Sequence, residues 1–183
     1  MNEVSVDYVG FVFAPSRRRV SAEEAKNLRS QLDDAIVPVG VFVDHPIHVI
    51  VELVDDGVID MIQLHGKESP GYISSLKAET DATVMKAIDM NAKAFSPSAF
   101  PNADMLLLDG GPGGMGECFD WSLAKDVGMS FFLAGGLDMD NVRRAIEVAA
   151  PYAVDISSGV ETNGRKDRGS VMEVVRRVRY VQG

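Results

Sequence analysis

Short apolar runs alternate with mixed polar segments along most of this chain. Tyr8-Val-Gly-Phe-Val-Phe13 is rich in β-forming residues and closes at Ala14-Pro15, which predicts a buried strand. Ser21-Ala-Glu-Glu24 has the spacing of a capping box and predicts a helix running to about Leu32. The pattern then recurs. Val37–Val43 and Met61–Leu64 predict strands, followed by helices from about Ile47 to Asp56 and from Ser69-Pro-Gly-Tyr72 to about Lys77. Val84–Ile88, Met105–Leu108, Phe131–Ala134 and Ala153–Ile156 predict four more strands, with helices best marked at Asp138–Ala150 and Gly169–Val181. The strands are near-continuously apolar rather than alternating, which is the pattern of a parallel sheet covered on both faces.

This repeat predicts an α/β fold with about seven βα units in one domain spanning residues 1–183. An open doubly wound sheet usually has about five or six parallel strands, so the count points instead to a TIM (β/α)8-type barrel that is incomplete by one unit. At 46% hydrophobic and 25% charged residues the composition is that of a globular protein with a substantial core. A formal net charge of −9 disfavours nucleic acid or an anionic membrane as partner, since either needs a dominant basic face. No apolar run approaches the roughly 20 residues of a membrane span, and the N-terminus lacks a secretory apolar core, so a cytoplasmic protein is expected. One cysteine, Cys118, and histidines at 45, 48 and 65 rule out an internal disulfide or a multi-cysteine metal site and make a zinc cage a poor fit.

The candidate chemistry centres on Asp109, which closes the apolar run Met105–Leu108 and precedes a loop with glycines at 110, 111, 113, 114 and 116. At a strand tip this aspartate stands where α/β enzymes hold catalytic side chains, and the glycines allow backbone N–H groups to approach a ligand. The alternative is an aspartate capping a turn in a flexible loop. Gly135, Gly136, Ser158 and Gly159 lie after the last two strands, where barrels often bind phosphate on backbone amides; tight turns with helix capping are the alternative. Of Arg17, Arg18 and Arg19, at least one must be a solvated charge, while another has the fork to clamp a carboxylate. His65 also ends a strand, a place that a hydrogen-bonded structural histidine fills as readily as a catalytic one.

Taken in order, Gly10-Phe-Val-Phe-Ala-Pro15, Gln63-Leu-His-Gly-Lys-Glu-Ser69, Leu107-Leu-Asp109 with its glycine loop and Phe119-Asp-Trp121, Leu133-Ala-Gly-Gly-Leu137 and Val154-Asp-Ile-Ser-Ser-Gly-Val-Glu161 resemble phosphoribosylanthranilate isomerase over essentially the whole chain. The resemblance implies an eight-fold βα barrel that carries out an Amadori rearrangement in tryptophan biosynthesis without metal or organic cofactor. It implies that Asp109 is the general acid that opens the ribose ring and that Arg18 faces the anthranilate carboxylate. It puts Gly136, Ser158 and Gly159 in the phosphate cradle, with His65 and Asp155 lining the same mouth. The expected partner is the phosphorylated sugar-anthranilate substrate, bound by a monomer or a homodimer.

The family also begins with a strand ending in Lys-Ile-Cys-Gly, whose cysteine is the general base. That unit has no counterpart in these residues, and Cys118 falls where the family commonly has threonine, so impaired turnover is expected. The second reading is a non-catalytic phosphosugar-binding protein derived from the same barrel. The third is a related isomerase of histidine biosynthesis, against which the Gln-Leu-His-Gly and Phe-Asp-Trp motifs weigh.

Overall fold

Strands form where the apolar runs stand, and helices begin where the capping residues predict. The computed structural model describes residues 1–92, 99–111 and 118–182. It contains two units, one of residues 1–87 and 98–105, the other of residues 88–97 and 106–183.

In the first unit, β1 (Tyr8–Val12), β2 (Val37–Phe42), β3 (Met61–Leu64) and β4 (Thr83–Asp89) pair in parallel and in sequence order. The register aligns Val12 with Val41, Phe42 with Leu64, and Leu64 with Lys86. Helix α1 (Ala22–Arg29) opens on the expected capping box. Glu24 N donates to Ser21 Oγ at 3.1 Å and Ser21 N to Glu24 Oε2 at 2.7 Å, and this Ser21 hydrogen bonding holds the Glu24 carboxyl below its ordinary value. Helix α2 spans Ile47–Asp55, and α3 (Pro70–Lys77) starts on Ser69, which accepts the Tyr72 amide, with proline in its first turn. Strands β2–β4 and helices α2 and α3, with Ile59 from the connection between α2 and β3, supply a core of Phe42, Ile50, Ile59, Ile62, Leu64, Ile73, Leu76 and Met85, all sealed from solvent. Each such side chain contributes about 1.5–3 kcal/mol by leaving water.

The second unit carries β5 (Met105–Asp109), β6 (Phe131–Leu133) and β7 (Ala153–Val154), again parallel, with Leu108, Leu133 and Val154 in register. Strands β4 and β5 both begin in the first unit and end in the second. Their pairing therefore appears in each, as Asp104 N to Val84 O at 2.9 Å and Met90 N to Asp109 O at 2.8 Å. Among the described residues, seven parallel strands follow one another in chain order. Helix α4 (Val142–Ala149) and helix α5 (Arg168–Gln182) follow β6 and β7 as expected. No described helix is long and apolar enough to cross a membrane.

Two local features differ from the expectation. Among the described residues, β4 and β5 have no α-helix of their own. After β5 there is a single 3-10 turn, Trp121–Ala124, capped by Asp120, so the count of about seven units holds for strands and not for helices. An antiparallel hairpin, β8 (Glu161–Thr162) and β9 (Arg165–Lys166), also stands between β7 and α5. Its turn residues Asn163 and Gly164 have φ of 52° and 75°. Asn-Gly with both residues left-handed is the chemistry of a type I′ turn, so the signal for this hairpin is local to the sequence.

Candidate active site

Four of the expected phosphate residues meet at one corner of the second unit. Ala134 N donates to Leu108 O at 2.8 Å and Asp155 N to Leu133 O at 2.9 Å, so the pairing of β5, β6 and β7 runs to their C-terminal ends. Asp109, Gly135 and Asp155 thus stand at or just past three adjacent strand tips. With neighbouring strands about 4.8 Å apart, Asp109 and Asp155 are roughly 10 Å from each other. Asp109 is half-buried and Asp155 exposed.

Backbone contact joins the loop after β6 to the loop after β7. Asp138 and Gly159 form an isolated parallel bridge, and a Cβ at position 159 would lie 2.0 Å from Leu137 O. Glycine is therefore required at 159 by approach. At Gly135 and Gly136 it is required by conformation, with φ of 80° and 62°. Asp138 then ties the loop to α4: its N–H donates to Asn141 Oδ1 at 3.0 Å while its carboxylate accepts Asn141 N at 3.0 Å. Asn141 Nδ2 in turn donates to Gly136 O at 2.8 Å. Two glycine loops pinned together at adjacent strand tips can offer amides to an anion without reorganising.

Sequence reasoning missed Lys166 here, while Cys118, which it set aside as the base, lies against the same loop. Lys166, on β9, donates to Ser157 O at 2.7 Å and lies 3.4 Å from Glu161, bringing a cation beside the loop that carries Ser158. Cys118 donates from Sγ to Gly136 O at 3.5 Å, and its thiol is pushed up by burial and by the Asp138 charge. That environment disfavours the thiolate, so Cys118 is poorly suited to act as a base. Gly113, Gly114 and Gly116 of the Asp109 loop lie outside the described residues.

Arg18 and His65 belong to the first unit. Arg18 is half-buried while Arg17 and Arg19 are exposed, in keeping with the expectation that three adjacent guanidinium groups cannot all turn inward. The arginine loop is held by Val20 N donating to Val12 O at 2.9 Å. His65 follows β3, its N–H donating to Phe42 O at 2.7 Å. Its Nδ1 lies 2.9 Å from Nε2 of the buried Gln63. With the Gln63 amide N–H donating to Nδ1, the contact fits the ring tautomer that carries its hydrogen on Nε2.

Residues 1–177 match the family described as N-(5'phosphoribosyl)anthranilate (PRA) isomerase. The chain belongs to this family. An N-(5'-phosphoribosyl)anthranilate isomerase of Endomicrobium trichonymphae is 45% identical over 183 residues, covering 98% of this chain and 90% of the relative. The crystal structure of the phosphoribosyl anthranilate isomerase of Thermus thermophilus matches with a TM-score of 0.86 at 32% identity, covering 98% of this chain and 90% of that one. A second solved isomerase is in complex with reduced 1-(o-carboxyphenylamino)-1-deoxyribulose 5-phosphate. It matches with a TM-score of 0.79 at 32% identity over 97% of this chain and 90% of its own. The fold class of this isomerase chain is accordingly the incomplete (β/α)8-type barrel expected from its sequence, with seven parallel strands among the described residues.

Proposed function

We infer that this chain is an isomerase that converts N-(5'-phosphoribosyl)anthranilate to the carboxyphenylamino-deoxyribulose phosphate in tryptophan biosynthesis, with residues 1–183 working as one cytoplasmic domain, monomeric or homodimeric. Membership of the isomerase family fixes the reaction. The observation that carries the residue assignment is the corner at which Asp109, Asp155 and the paired glycine loops share adjacent strand tips.

In this reading the substrate phosphate is held by amides at Gly135, Gly136 and Gly159 and by the Ser158 hydroxyl. Arg18 pairs with the anthranilate carboxylate, and His65 and Asp155 line the sugar. Asp109 gives its proton to the ribose ring oxygen as the anthranilate nitrogen pushes its electron pair toward C1. The C1–O bond breaks, leaving an iminium and a free hydroxyl. Loss of the C2 proton then gives an enolamine that tautomerises to the aminoketose. No metal or redox group takes part in this electron flow. Cys118 is not assigned as the base that removes the C2 proton, because its thiol is raised rather than lowered.

The test is Asp109→Asn in the full chain, followed by the change in anthranilate fluorescence on turnover. Removing a positioned acid should lower kcat by about 10²–10⁴ relative to the parent while the melting temperature stays nearly constant. The reduced product analogue should still protect the variant thermally. Equal turnover by parent and variant would remove Asp109 from the reaction.

A further inference from the structure

The first unit holds a buried ion pair that the isomerase reading does not use. Lys86 lies on β4 and Glu68 follows the His65 loop; both side chains are essentially sealed from solvent, with 2.9 Å between Lys86 Nζ and Glu68 Oε2. An ammonium has three protons, and all three are committed here: the other two go to Leu64 O at 3.2 Å and Gly66 O at 2.7 Å. Lys86 is therefore neither a base nor a nucleophile. Glu68 receives the Asp44 amide at 2.8 Å on Oε1 and the Gly66 amide at 2.9 Å on Oε2. Asp44 closes the arrangement by accepting Lys67 N at 2.7 Å on its own carboxylate.

Apart from the ion pair itself, every one of these bonds ends on the His65–Lys67 loop, on the strand end before it, or on Asp44, whose carboxylate accepts the Lys67 amide. The packing leaves no slack, for a Cβ at Gly66 would come within 2.7 Å of Asp44 Oδ1 and 2.8 Å of Asp44 N. Burying a full ion pair stabilises a fold no better than apolar residues of like volume, since desolvation offsets the attraction. What such a pair does provide is direction: charge-assisted bonds fix where the backbone they hold must lie. Gln63, one residue inside the same strand end, meets the His65 ring at Nδ1 over 2.9 Å, a contact that fits the hydrogen on Nε2.

We propose that Lys86 and Glu68 are positioning residues of the isomerase, a buried latch that holds the His65-Gly66-Lys67 loop so that the His65 ring presents its Nε2 hydrogen to the sugar-anthranilate part of the substrate. The proposal rests on the reading that His65 faces substrate. It places the latch upstream of recognition, with no contact of its own to the reacting atoms.

The test replaces both members at once, Lys86→Met with Glu68→Met, so that no charge is left buried alone. In the full chain the variant also takes hydrogen-bond partners from the Asp44 and Gly66 amides and the Leu64 and Gly66 carbonyls, so it should melt below the parent but above the single Lys86→Met variant. Its affinity for the reduced product analogue should fall about tenfold, the effect of losing roughly one well-made hydrogen bond, while inorganic phosphate binds as before. The ¹⁵N spectrum of the His65 ring should move from a single neutral tautomer to an averaged one. Gly66→Ala, which leaves both charges in place and crowds Asp44, should produce the same loss and serves should the double variant not fold. Unchanged analogue affinity together with an unchanged His65 spectrum in either folded variant would overturn the proposal and make the pair purely structural. If the parent itself fails to bind the analogue, the isomerase reading is what fails. The His65 spectrum then still decides the latch.

Discussion

The loop after β3 and the loops after β6 and β7 solve the same problem by different means. Each is an irregular segment at strand tips whose backbone groups must be satisfied and whose geometry must stay fixed. In the first unit a buried charge pair reaches into the loop and captures carbonyls and amides with side-chain atoms. In the second, the loops are joined backbone to backbone at Asp138 and Gly159, and side chains such as Asn141 only brace the join. A side-chain latch tolerates backbone variety but fails when one partner is lost. A glycine join tolerates changes in the residues around it but fails on the gain of a single methyl group. In the proposed site the difference matches the ligand groups, because a bare phosphate can be satisfied by backbone amides alone.

The largest expected effect comes from breaking the latch on one side only. Lys86→Met leaves the Glu68 carboxylate buried without its counterion and should lower stability by about 3–5 kcal/mol, measured by urea unfolding at neutral pH. A loss under about 1 kcal/mol would mean that water reaches Glu68, and the two regions would then differ less than described.

Gly159→Ala strikes the other region. Because the new Cβ meets a backbone carbonyl rather than a pliable side chain, a loss at the upper end of about 1–3 kcal/mol is expected, together with loss of thermal protection by inorganic phosphate. Protection equal to that of the parent would separate the phosphate site from this join.

The hairpin offers a finer test. Gly164→Ala puts a Cβ on a residue with φ of 75° and should lower stability by about 1 kcal/mol. If Lys166 supports the Ser158 loop, phosphate affinity should fall with it. Equal phosphate affinity would confine the hairpin to a structural part.

The smallest effect is read from pH. Tyr72 donates its hydroxyl to His45 O at 2.6 Å, and its acidity is pushed to about 12 by burial, then by the Glu68 and Asp44 charges. The folded state therefore keeps the phenol proton at pH values where the unfolded chain, titrating near its ordinary 10.0, has lost it. The contribution is complete below pH 10 and fades as the pH rises toward 12. The melting temperature of the parent should drop across that window, and Tyr72→Phe should flatten the drop slightly. An equal slope in both proteins would exclude Tyr72 as the titrating group.

How much of this could be read beforehand follows from the range of each interaction. Strands β1–β7 were legible because an apolar run carries its burial in its own composition, and α1 and α3 because Ser21 and Ser69 cap within three residues of themselves. The Asn163-Gly164 turn is equally local, since both left-handed residues are adjacent in sequence. Asp109, Gly135, Gly136 and Ser158 were legible as candidates, since strand-tip position and glycine content are local facts. That Gly159 must be glycine was not, because the atom it would strike, Leu137 O, is brought to it by the β6–β7 pairing.

Lys86 shows the limit most clearly. In sequence it is one polar residue in an apolar strand, with nothing to tell a solvated amine from a buried one. Its partner Glu68 is 18 residues away, and the two meet because β3 and β4 align Leu64 with Lys86. The sequence by itself determined which segments would be strands and helices and which residue types stood at their ends. Only the tertiary structure decided which of those ends touch, because strand register converts residues distant along the chain into neighbours a few ångströms apart, and charge pairing and close backbone approach act over no greater distance.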